Sequence, residues 1–272
     1  MERAVVVTGA SSGIGEACAL RLAARGFRVY GGVRRERDAK RLRTQGVEPL
    51  LLDVTEPEQI AAAAATVGDD LFGLVNNAGV AIAAPLELVP LDELRRQLEV
   101  NVVGQVAVTQ VFLPALRRAR GRVVLMGSIG GRSALPFLGP YAASKFALEA
   151  IADSLRVELR PFGMFVSIVE PGSIKTPIWT KGAARADELR ARFSPEGQEL
   201  YAAAIERFRK VAVARGLAGV GPDEVAKAVE HALTAERPKA RYLVGKDARL
   251  RRHLERLPVR VRDRLIERAL TR

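Results

Sequence analysis

The sequence predicts an α/β fold in which a doubly wound parallel sheet of about seven strands carries helices on both faces. Short apolar runs alternate with helical segments along most of the 272 residues. A glycine-rich turn links the first apolar run to the first helix, and polar residues follow several later runs. Strands that alternate with helices form parallel sheets, and the loops at the carboxyl ends of the strands bind ligands.

The composition is that of one globular domain, which we assign to residues 1–272. The chain is 48% hydrophobic and 27% charged, as in proteins with a sizeable core. A single cysteine, Cys18, excludes an internal disulfide and fits a reducing cytosol, so a cytoplasmic location is predicted. With two distant histidines, the sequence predicts no metal site. No secretory signal and no run of about 18 apolar residues is seen, so no membrane span is predicted.

The chain is basic, with a formal net charge of +12. Residues 246–272 hold ten Lys and Arg against four Asp and Glu, so this tail carries half of the excess. Nucleic acid and an anionic membrane surface must both be considered as partners. Basic residues are not interleaved with aromatic ones, which disfavours nucleic acid, whereas peripheral membrane contact through the tail stays open. The alternative is that the basic residues form solvated faces.

The first strand is predicted at residues 3–8, followed by a glycine-rich turn at residues 9–15 and a helix. Glycines let the backbone approach a pyrophosphate, and the helix N-terminus offers N–H groups and the positive end of its dipole. The spacing is G-x-x-x-G-x-G rather than the more usual G-x-G-x-x-G. In this strand–turn–helix context it predicts a dinucleotide site of the Rossmann type.

The remaining chain continues the alternation. Six further strands are predicted at residues 26–33, 47–54, 71–75, 121–127, 164–169 and 241–244. Helices are predicted at residues 36–46, 56–67, 90–116 with a break near residue 99, 141–161, and from about 222. Right-handed crossovers would bring the loops after the strands to the carboxyl edge of the sheet. The tail at residues 246–272 is predicted to form two amphipathic basic helices divided by Pro258.

An insertion at residues 174–217 is interpreted as a lid over the substrate, formed by two short helices divided at Ser194 and Pro195. The alternative is a solvated excursion. Aromatic residues are denser here than in the whole chain, which suggests an apolar substrate larger than two or three carbons, unless they only pack the lid onto the body. They are Trp179, Phe193, Tyr201 and Phe208.

Ser128, Tyr141 and Lys145 form the candidate catalytic group. Tyr141 and Lys145 lie one turn apart on a helix that Pro140 begins, so they share a face. A free tyrosine has a pKa of about 10, and a fixed ammonium beside it would lower that pKa. Ser128 follows an apolar strand and could reach a substrate oxygen. A hydroxyl donor and a tuned phenol suit proton transfer to or from an alcohol or carbonyl oxygen. The alternative for the Tyr–Lys pair alone is ordinary helix surface.

The ordered motifs closely resemble the short-chain dehydrogenase/reductase family over nearly the whole chain. Ser128 stands thirteen residues before Tyr141, at the family's spacing. The middle of the chain is most similar to the branch that acts on hydroxysteroids, retinols and similar apolar alcohols. Gly127 stands where many relatives carry a second serine. The matching residues are Thr8, Gly9, Gly13, Gly15, Asp53, Asn76, Asn77, Ala78, Gly79, Asn101, Ser128, Tyr141, Lys145, Pro171, Gly172 and Thr176.

The resemblance implies an oxidoreductase in which Tyr141 is the general acid and base. Ser128 would polarise the substrate oxygen, Lys145 would lower the tyrosine pKa and bind the nicotinamide ribose, and Asn101 would hold a water that relays protons to Lys145. The remaining residues would bind the cofactor. Gly9, Ser11, Ser12, Gly13 and Ile14 would line the pyrophosphate turn; Asp53 and Val54 the adenine; Asn76, Ala78 and Gly79 the ribose and the sheet centre; and Pro171, Gly172, Ile174 and Thr176 the nicotinamide.

The end of the second strand indicates NADP(H), with NAD(H) as the less favoured option. An acidic residue there would accept hydrogen bonds from the ribose 2′-OH and repel a 2′-phosphate. Val33 occupies that place, and Arg34 and Arg35 follow. A guanidinium can bind a phosphate bidentately. Arg34 stands at the position that relatives use for this contact, and the alternative is that both arginines are solvated.

A homodimer or homotetramer is predicted, because relatives commonly pair the helix that carries the tyrosine with its symmetry mate. Apolar residues on that helix are Phe146, Leu148, Ile151 and Leu155. The substrate would be a small apolar alcohol or carbonyl compound. The competing hypothesis is a non-catalytic dinucleotide sensor on the same fold. The intact catalytic group argues against it, because loss of Tyr141 would be expected there.

Overall fold

The computed structural model describes residues 3–251 and 253–271, without the side chains of residues 179–181, 183 and 269–271. A seven-stranded parallel sheet in the order β3-β2-β1-β4-β5-β6-β7 forms its centre and confirms the predicted fold class. The strands are β1 Ala4–Val7, β2 Arg28–Val33, β3 Glu48–Leu51, β4 Gly73–Asn76, β5 Arg122–Met126, β6 Phe165–Pro171 and β7 Arg241–Val244.

Helices cover both faces of this sheet. They are α1 Gly13–Ala24, α2 Glu36–Arg43, α3 Pro57–Val67, α4 Leu91–Leu98, α5 Gly104–Arg118, α6 Gly139–Glu158, α7 Ile178–Arg190, α8 Pro195–Ala218, α9 Pro222–Thr234, α10 Lys246–Arg251 and α11 Val259–Thr271. Pro140 lies in the first turn of α6, as predicted. The two helices predicted in the tail are α10 and α11, and a 3-10 turn at Leu254–Arg256 precedes Pro258 between them.

Alternation along the strands divides the apolar residues between two cores. In β1, Val6 joins the cluster that includes Phe112 of α5, whereas Val5 and Val7 join the cluster that includes Leu22 of α1. Successive side chains of a strand point to opposite faces, so a strand buried on both faces is a continuous apolar run. This explains why three consecutive valines are wholly buried in the central strand.

Strand order reverses beside β1, because β2 lies on one side of it and β4 on the other. The chain therefore leaves β1 and β4 toward opposite faces of the sheet. Such a switch point opens a crevice at the carboxyl edge. The candidate site lies there.

Two helical predictions differ from the structure. The break predicted near Glu99 is a π-helical turn, Glu99–Val103, and the helical stretch continues through it. The second lid helix is long rather than short, since α8 spans 24 residues. The stretch Leu91–Arg118 is long and apolar enough to cross a membrane by length and composition. That is weak evidence for a span, because buried core helices pass the same test, and Phe112 and Leu116 of this stretch lie in the core.

Candidate active site

A cleft of about 1130 Å³ lies along the carboxyl edge of the sheet, between the loops after the strands and the lid helices. Its walls come from distant parts of the chain. The glycine-rich turn lines one end, together with the residues after β2 and β3. Ser128, Tyr141 and Lys145 line the wall next to the lid, and α8 and α10 close the site from above.

The glycine-rich turn leaves the space that a dinucleotide requires. Gly9 has φ +66° and Gly13 has φ +63°, a region that glycine adopts without strain. A Cβ at Gly13 would stand 3.3 Å from Thr176, across the mouth of the turn. Helix α1 begins at Gly13, so its N-terminal end faces the cleft. An anionic pyrophosphate fits this geometry, because the backbone can approach it and the helix dipole favours negative charge.

A side-chain network joins the loops on either side of the switch point. The Thr8 hydroxyl accepts hydrogen bonds from the backbone N–H groups of Asn77 and Ala78, each at 2.9 Å. The Asn77 amide donates to the Thr8 carbonyl at 2.9 Å. This network fixes the floor of the cleft.

Asn76, by contrast, is not brought into the cleft. Its side chain is fully buried, and its amide donates to the Thr109 hydroxyl at 2.7 Å. Because neighbouring strand residues face opposite sides, Asn76 points toward α5, and Asn77, which lies just beyond β4, reaches the cleft instead. The alternation of the strand was the signal that could have separated the two.

Asn101 lies behind the cleft, in the π-helical turn, and is fully buried. Its carboxamide oxygen accepts from the Val80 N–H at 2.8 Å, and its amide donates to the Val80 carbonyl at 3.0 Å. The same amide donates to the Ser144 hydroxyl at 3.0 Å. Asn101 therefore ties the loop after β4 to the helix that carries Tyr141.

Ser128, Tyr141 and Lys145 are brought together as predicted. The Ser128 hydroxyl lies close enough to the Tyr141 phenol to lower the pKa of that phenol. It also accepts from the Gly130 N–H at 3.0 Å, which caps a short 3-10 turn and orients the hydroxyl. A Cβ at Gly130 would stand 3.2 Å from the Tyr141 ring, so a small residue is needed there. The Lys145 ammonium donates to the Met126 carbonyl at 2.7 Å.

Burial dominates the titration of this group. It lowers the pKa of Lys145 to about 8, and the negative charge of Glu149 opposes the shift. Burial also raises the pKa of Tyr141, while the hydrogen bond from Ser128 and the charge of Arg251 oppose that rise. The net direction is opposite to the predicted lowering of the tyrosine pKa. The phenol is therefore held in its protonated form, which suits proton donation to a carbonyl oxygen.

An ionic network lies behind Lys145. Arg241 contacts Glu149 at 3.0 Å and Glu170 at 3.3 Å, and Arg132 contacts Glu170 at 3.3 Å. Burial raises the pKa of Glu149 to about 7, with the charge of Glu170 adding to the shift. The network links α6, β6 and β7 just below the catalytic wall.

The far end of the cleft is basic. Arg34 follows β2, is 61% exposed, and lies 3.7 Å from the Asp53 carboxylate. Arg35 and Arg37 line the same end. The Asp53 carboxylate also accepts from the Thr55 hydroxyl at 2.9 Å. Arg34 thus lines the cleft with most of its side chain exposed, where a phosphate could compete for its guanidinium.

The lid contributes aromatic side chains. Phe193 and Phe208 line the cleft, and the Phe208 ring lies 5.3 Å from that of Phe137. Tyr201 points elsewhere, since its hydroxyl donates to Glu87 at 2.6 Å and its side chain does not line the cleft. The side chain of Trp179 lies outside the described part of the structure.

Of the predicted cofactor and catalytic residues, Asn76 and Asn101 do not line the cleft, and the rest do. The residues brought together are Gly9, Ser11, Ser12, Gly13, Ile14, Arg34, Arg35, Asp53, Val54, Ala78, Gly79, Ser128, Tyr141, Lys145, Pro171, Gly172, Ile174 and Thr176. The sequence did not single out Arg215 of α8 or Arg251 of α10, which also line the cleft. No local motif marks them in a chain this rich in arginine.

A glycine turn at a switch point, facing a Ser–Tyr–Lys group, defines a dinucleotide-dependent oxidoreductase. The sequence profile of the short chain dehydrogenases matches residues 3–187. Retinol dehydrogenase 16 of Homo sapiens is 40% identical over 262 residues, covering 92% of this chain and 82% of the relative. The 3-amino-tetrahydro-pyrrolizinone reductase of Xenorhabdus hominickii is 37% identical over 253 residues, covering 91% and 88%.

The chain belongs to the short-chain dehydrogenase/reductase family, whose members are NAD(P)-dependent oxidoreductases acting on CH–OH groups, and its similarity lies with the retinol and hydroxysteroid dehydrogenase-like branch. The predicted family with its branch and the predicted enzyme class, an NAD(P)-dependent oxidoreductase acting on CH–OH groups, are both confirmed.

Solved structures of short-chain dehydrogenases have the same fold as this chain. A short chain dehydrogenase from Burkholderia cenocepacia in complex with NADP is 28% identical, with a TM-score of 0.72 and coverage of 92% of this chain and 90% of that chain. A Burkholderia phymatum relative in complex with NAD is also 28% identical, with a TM-score of 0.75 and coverage of 89% and 88%.

Proposed function

We propose that this protein is an NADP(H)-dependent oxidoreductase that interconverts a secondary alcohol and a ketone, or a primary alcohol and an aldehyde, on a largely apolar substrate. One observation carries the proposal: the Ser128 hydroxyl, the Tyr141 phenol and the Lys145 ammonium share one wall of a cleft whose other end is a glycine-rich turn. The bound nicotinamide would supply or accept the hydride.

The residues of the chain then have distinct tasks. Tyr141 donates its phenolic proton to the substrate oxygen during reduction and removes it during oxidation. Ser128 donates a hydrogen bond to the same oxygen, where negative charge develops. Lys145, held by the Met126 carbonyl, supplies a positive charge beside the phenol and a donor for the nicotinamide ribose. Asn101 fixes the backbone on which these groups are mounted, and a water held by it would relay protons to Lys145.

NADP(H) is proposed as the preferred cofactor because of the charge at the far end of the cleft. Val33 places no carboxylate at the end of β2, and Arg34 lies beyond it with most of its side chain exposed. A 2′-phosphate would pair with this guanidinium. One similar solved structure contains NADP, which supports the proposal, while the NAD complex of another keeps NAD(H) as the alternative.

An apolar substrate is proposed from the lid. Phe193 and Phe208 give the cleft a hydrophobic roof next to the catalytic wall. The names of the relatives, which include retinol dehydrogenases, point to ring-bearing or long apolar alcohols. A cleft of about 1130 Å³ has room for such a substrate together with a dinucleotide.

We also propose a cytoplasmic homodimer or homotetramer. Of the apolar residues predicted to pair α6, Leu148 is wholly buried, and Ile151 and Leu155 pack against the chain's own core. Phe146 is 47% exposed on the same helix, and Val157, three turns later, is 68% exposed. These two residues are the apolar surface left for a partner helix. Light scattering at micromolar concentration tests the assembly, and a monomer there would contradict it.

The activity is tested by a turnover screen. Aliphatic and aryl ketones, aldehydes and the matching alcohols are offered with NADPH or NADP⁺ and with NADH or NAD⁺, and absorbance at the nicotinamide band is followed. We expect turnover of ring-bearing substrates and a preference for the phosphorylated cofactor. If the protein binds the cofactor but turns over none of these substrates, the result contradicts this proposal and supports a non-catalytic dinucleotide sensor.

A further inference from the structure

Helix α10 folds back onto the active site. The Asp247 carboxylate accepts hydrogen bonds from the backbone N–H groups of Ser173 at 2.7 Å and of Ala248 at 3.0 Å. A Cβ at Gly172 would collide with this carboxylate, so the glycine permits the close approach. One turn later, Arg251 donates to the carbonyl of Ser133, in the loop that follows Ser128. These contacts hold the Arg251 guanidinium beside Tyr141.

The charge of Arg251 is not neutralised by a carboxylate contact. Within the described residues, the Arg251 guanidinium is bonded to a backbone carbonyl and forms no ion pair with an acidic side chain, and its Nε atom is buried without a hydrogen-bond partner. Asp247 attracts it electrostatically, but both oxygens of Asp247 already accept backbone hydrogen bonds. Burial and the charge of Arg215 both lower the pKa of Arg251, as expected for cations placed together in a partly dry site.

Of the other arginines that line the cleft, Arg34, Arg96, Arg185 and Arg209 contact carboxylates, whereas Arg35, Arg37 and Arg190 have no such contact within the described residues. Arg96 contacts Glu93 at 3.6 Å, and Arg185 also pairs with Glu93. Arg209 lies 3.5 Å from Asp187. In the part of the chain that the structure describes, Arg215 has no such partner either, and it lines the cleft from α8. Arg215, which is exposed, and Arg251 therefore both line the cleft, their charges interact, and neither has an acidic ion-pair partner within the described residues.

We propose that Arg215 and Arg251 bind a carboxylate on the substrate, so that the enzyme acts on keto acids or hydroxy acids with an apolar body. This rests on the proposed function and narrows its substrate class. The cofactor phosphates do not explain the pair, because the glycine-rich turn and Arg34 lie at the other end of the cleft. A planar guanidinium pairs bidentately with a carboxylate, so two of them at the catalytic end of the cleft suit a carboxylate-bearing substrate.

A second role for Arg251 would act only through Tyr141. Its positive charge favours the phenolate, so removing it would change the rate with every substrate and displace the pH profile. Carboxylate binding would instead change the rate for charged substrates alone. The two roles are separated by substrates that differ only in charge.

The test uses the full-length protein with NADPH and three aryl keto acids of increasing length: benzoylformate, benzoylpropionate and benzoylbutyrate. Each is paired with its neutral methyl ester. Wild type is compared with Arg251→Met, Arg215→Met and the double variant. Arg249→Met is the matched control, because Arg249 is exposed on the same helix and does not line the cleft. Binding to the NADPH-loaded protein is followed by NADPH fluorescence beside turnover.

We expect at least one acid to exceed its ester in kcat/KM by about tenfold or more at low salt, with the difference falling as salt is added. The preference should weaken in each single variant, vanish in the double variant and persist in Arg249→Met. Equal rates for every pair, a preference that survives in the double variant, or equal losses for acids and esters in Arg251→Met would each overturn the proposal. Turnover of the esters alone leaves the proposed oxidoreductase activity standing, so the two failures are distinguishable.

Discussion

The Lys145 ammonium lies 5.7 Å from the centre of the Tyr141 ring and is bound to the Met126 carbonyl at 2.7 Å. The lysine therefore approaches the face of the phenol from the end of β5. At this distance an ammonium interacts with the electrons of the aromatic ring. Both residues lie on α6 one turn apart, so the helix sets their separation. The Met126 carbonyl at the end of β5 fixes the position of the Lys145 ammonium.

Tyr141→Phe should abolish nearly all turnover while leaving the fold and cofactor binding intact. The substitution removes only the proton that is transferred, and loss of a general acid costs about 10²–10⁴-fold in rate. Stopped-flow or steady-state rates and cofactor titration measure the two effects. Tyr201→Phe is the control, since Tyr201 lies on the lid outside the cleft. A rate near wild type in Tyr141→Phe would refute the mechanism.

Lys145→Met should abolish turnover, weaken cofactor binding and yet stabilise the protein at neutral pH. Burial lowers the pKa of Lys145 from 10.5 to about 8. Below pH 8 the lysine is charged in both states, and the buried ammonium lowers the free energy of unfolding. Between about pH 8 and 10.5 the unfolded state holds more protons, so wild-type stability rises with pH there and the advantage of the variant shrinks.

Thermal unfolding without cofactor across this pH range measures the difference. We expect a gain on the order of 1 kcal/mol at pH 7, or about 2–4 °C, reduced by the lost bond to Met126. Lys210→Met, on the exposed face of α8, is the control. A variant that is less stable than wild type at pH 7 and grows relatively worse below it would contradict the burial cost.

The double variant Val33→Asp/Arg34→Ala should reverse the cofactor preference from NADP(H) toward NAD(H). Loss of a bidentate phosphate contact costs on the order of 2 kcal/mol, or tens of fold in affinity. Arg34 is mostly exposed, so the fold should be unaffected. Fluorescence titration with each cofactor gives the ratio, with Arg43→Ala on α2 as the control. An unchanged ratio removes these residues from the explanation, and an NAD-preferring wild type refutes the assignment.

Phe208→Ala should impair ring-bearing ketones more than small ones. The side chain lines the cleft and its ring packs against Phe137 at an interplanar angle of 49°, and an apolar contact of this size contributes roughly 1.5–3 kcal/mol. We expect kcat/KM for an aryl ketone to fall about tenfold or more, with acetone little changed. Leu200→Ala is the control, because Leu200 is 68% exposed on the same helix. Equal losses for both ketones would mean that the aromatics only pack the lid.

Glu149→Gln should stabilise the protein increasingly as the pH rises from about 4.5 to about 7. Burial raises the pKa of Glu149 to about 7, so in this window the native state holds a proton that the unfolded state has released, and wild-type stability falls. Glutamine mimics the protonated form and avoids the loss. Melting temperatures of Glu149→Gln and wild type, compared across this pH window, measure the difference in stability.

Asp153→Asn provides a control of opposite sign for that experiment. The hydrogen bond from Arg241 lowers the pKa of Asp153, so its carboxylate stabilises the fold above the ordinary pKa and the variant should lose stability at neutral pH. A difference in melting temperature between Glu149→Gln and wild type that does not change with pH would show that ionising Glu149 does not destabilise the folded protein.

The sequence by itself determined the sheet, the glycine-rich turn and the pairing of Tyr141 with Lys145. Each depends on short-range regularities: apolar runs that are buried on both faces, glycines that permit positive φ, and the helical geometry that makes residues four apart neighbours. Parallel strands place their carboxyl ends at one edge, so the residues after β1, β4 and β5 could be assigned to one site without knowing their distances.

Only the tertiary structure decided what depends on packing between distant segments. It selected Asn77 over Asn76 for the cleft, turned the expected break at Glu99 into a π-helical turn, and brought Arg251 to Tyr141 across 110 residues of chain. It also reversed the expected shift of the Tyr141 pKa. Burial sets that pKa, and burial is the sum of every element that folds over the phenol, which no spacing between two residues contains.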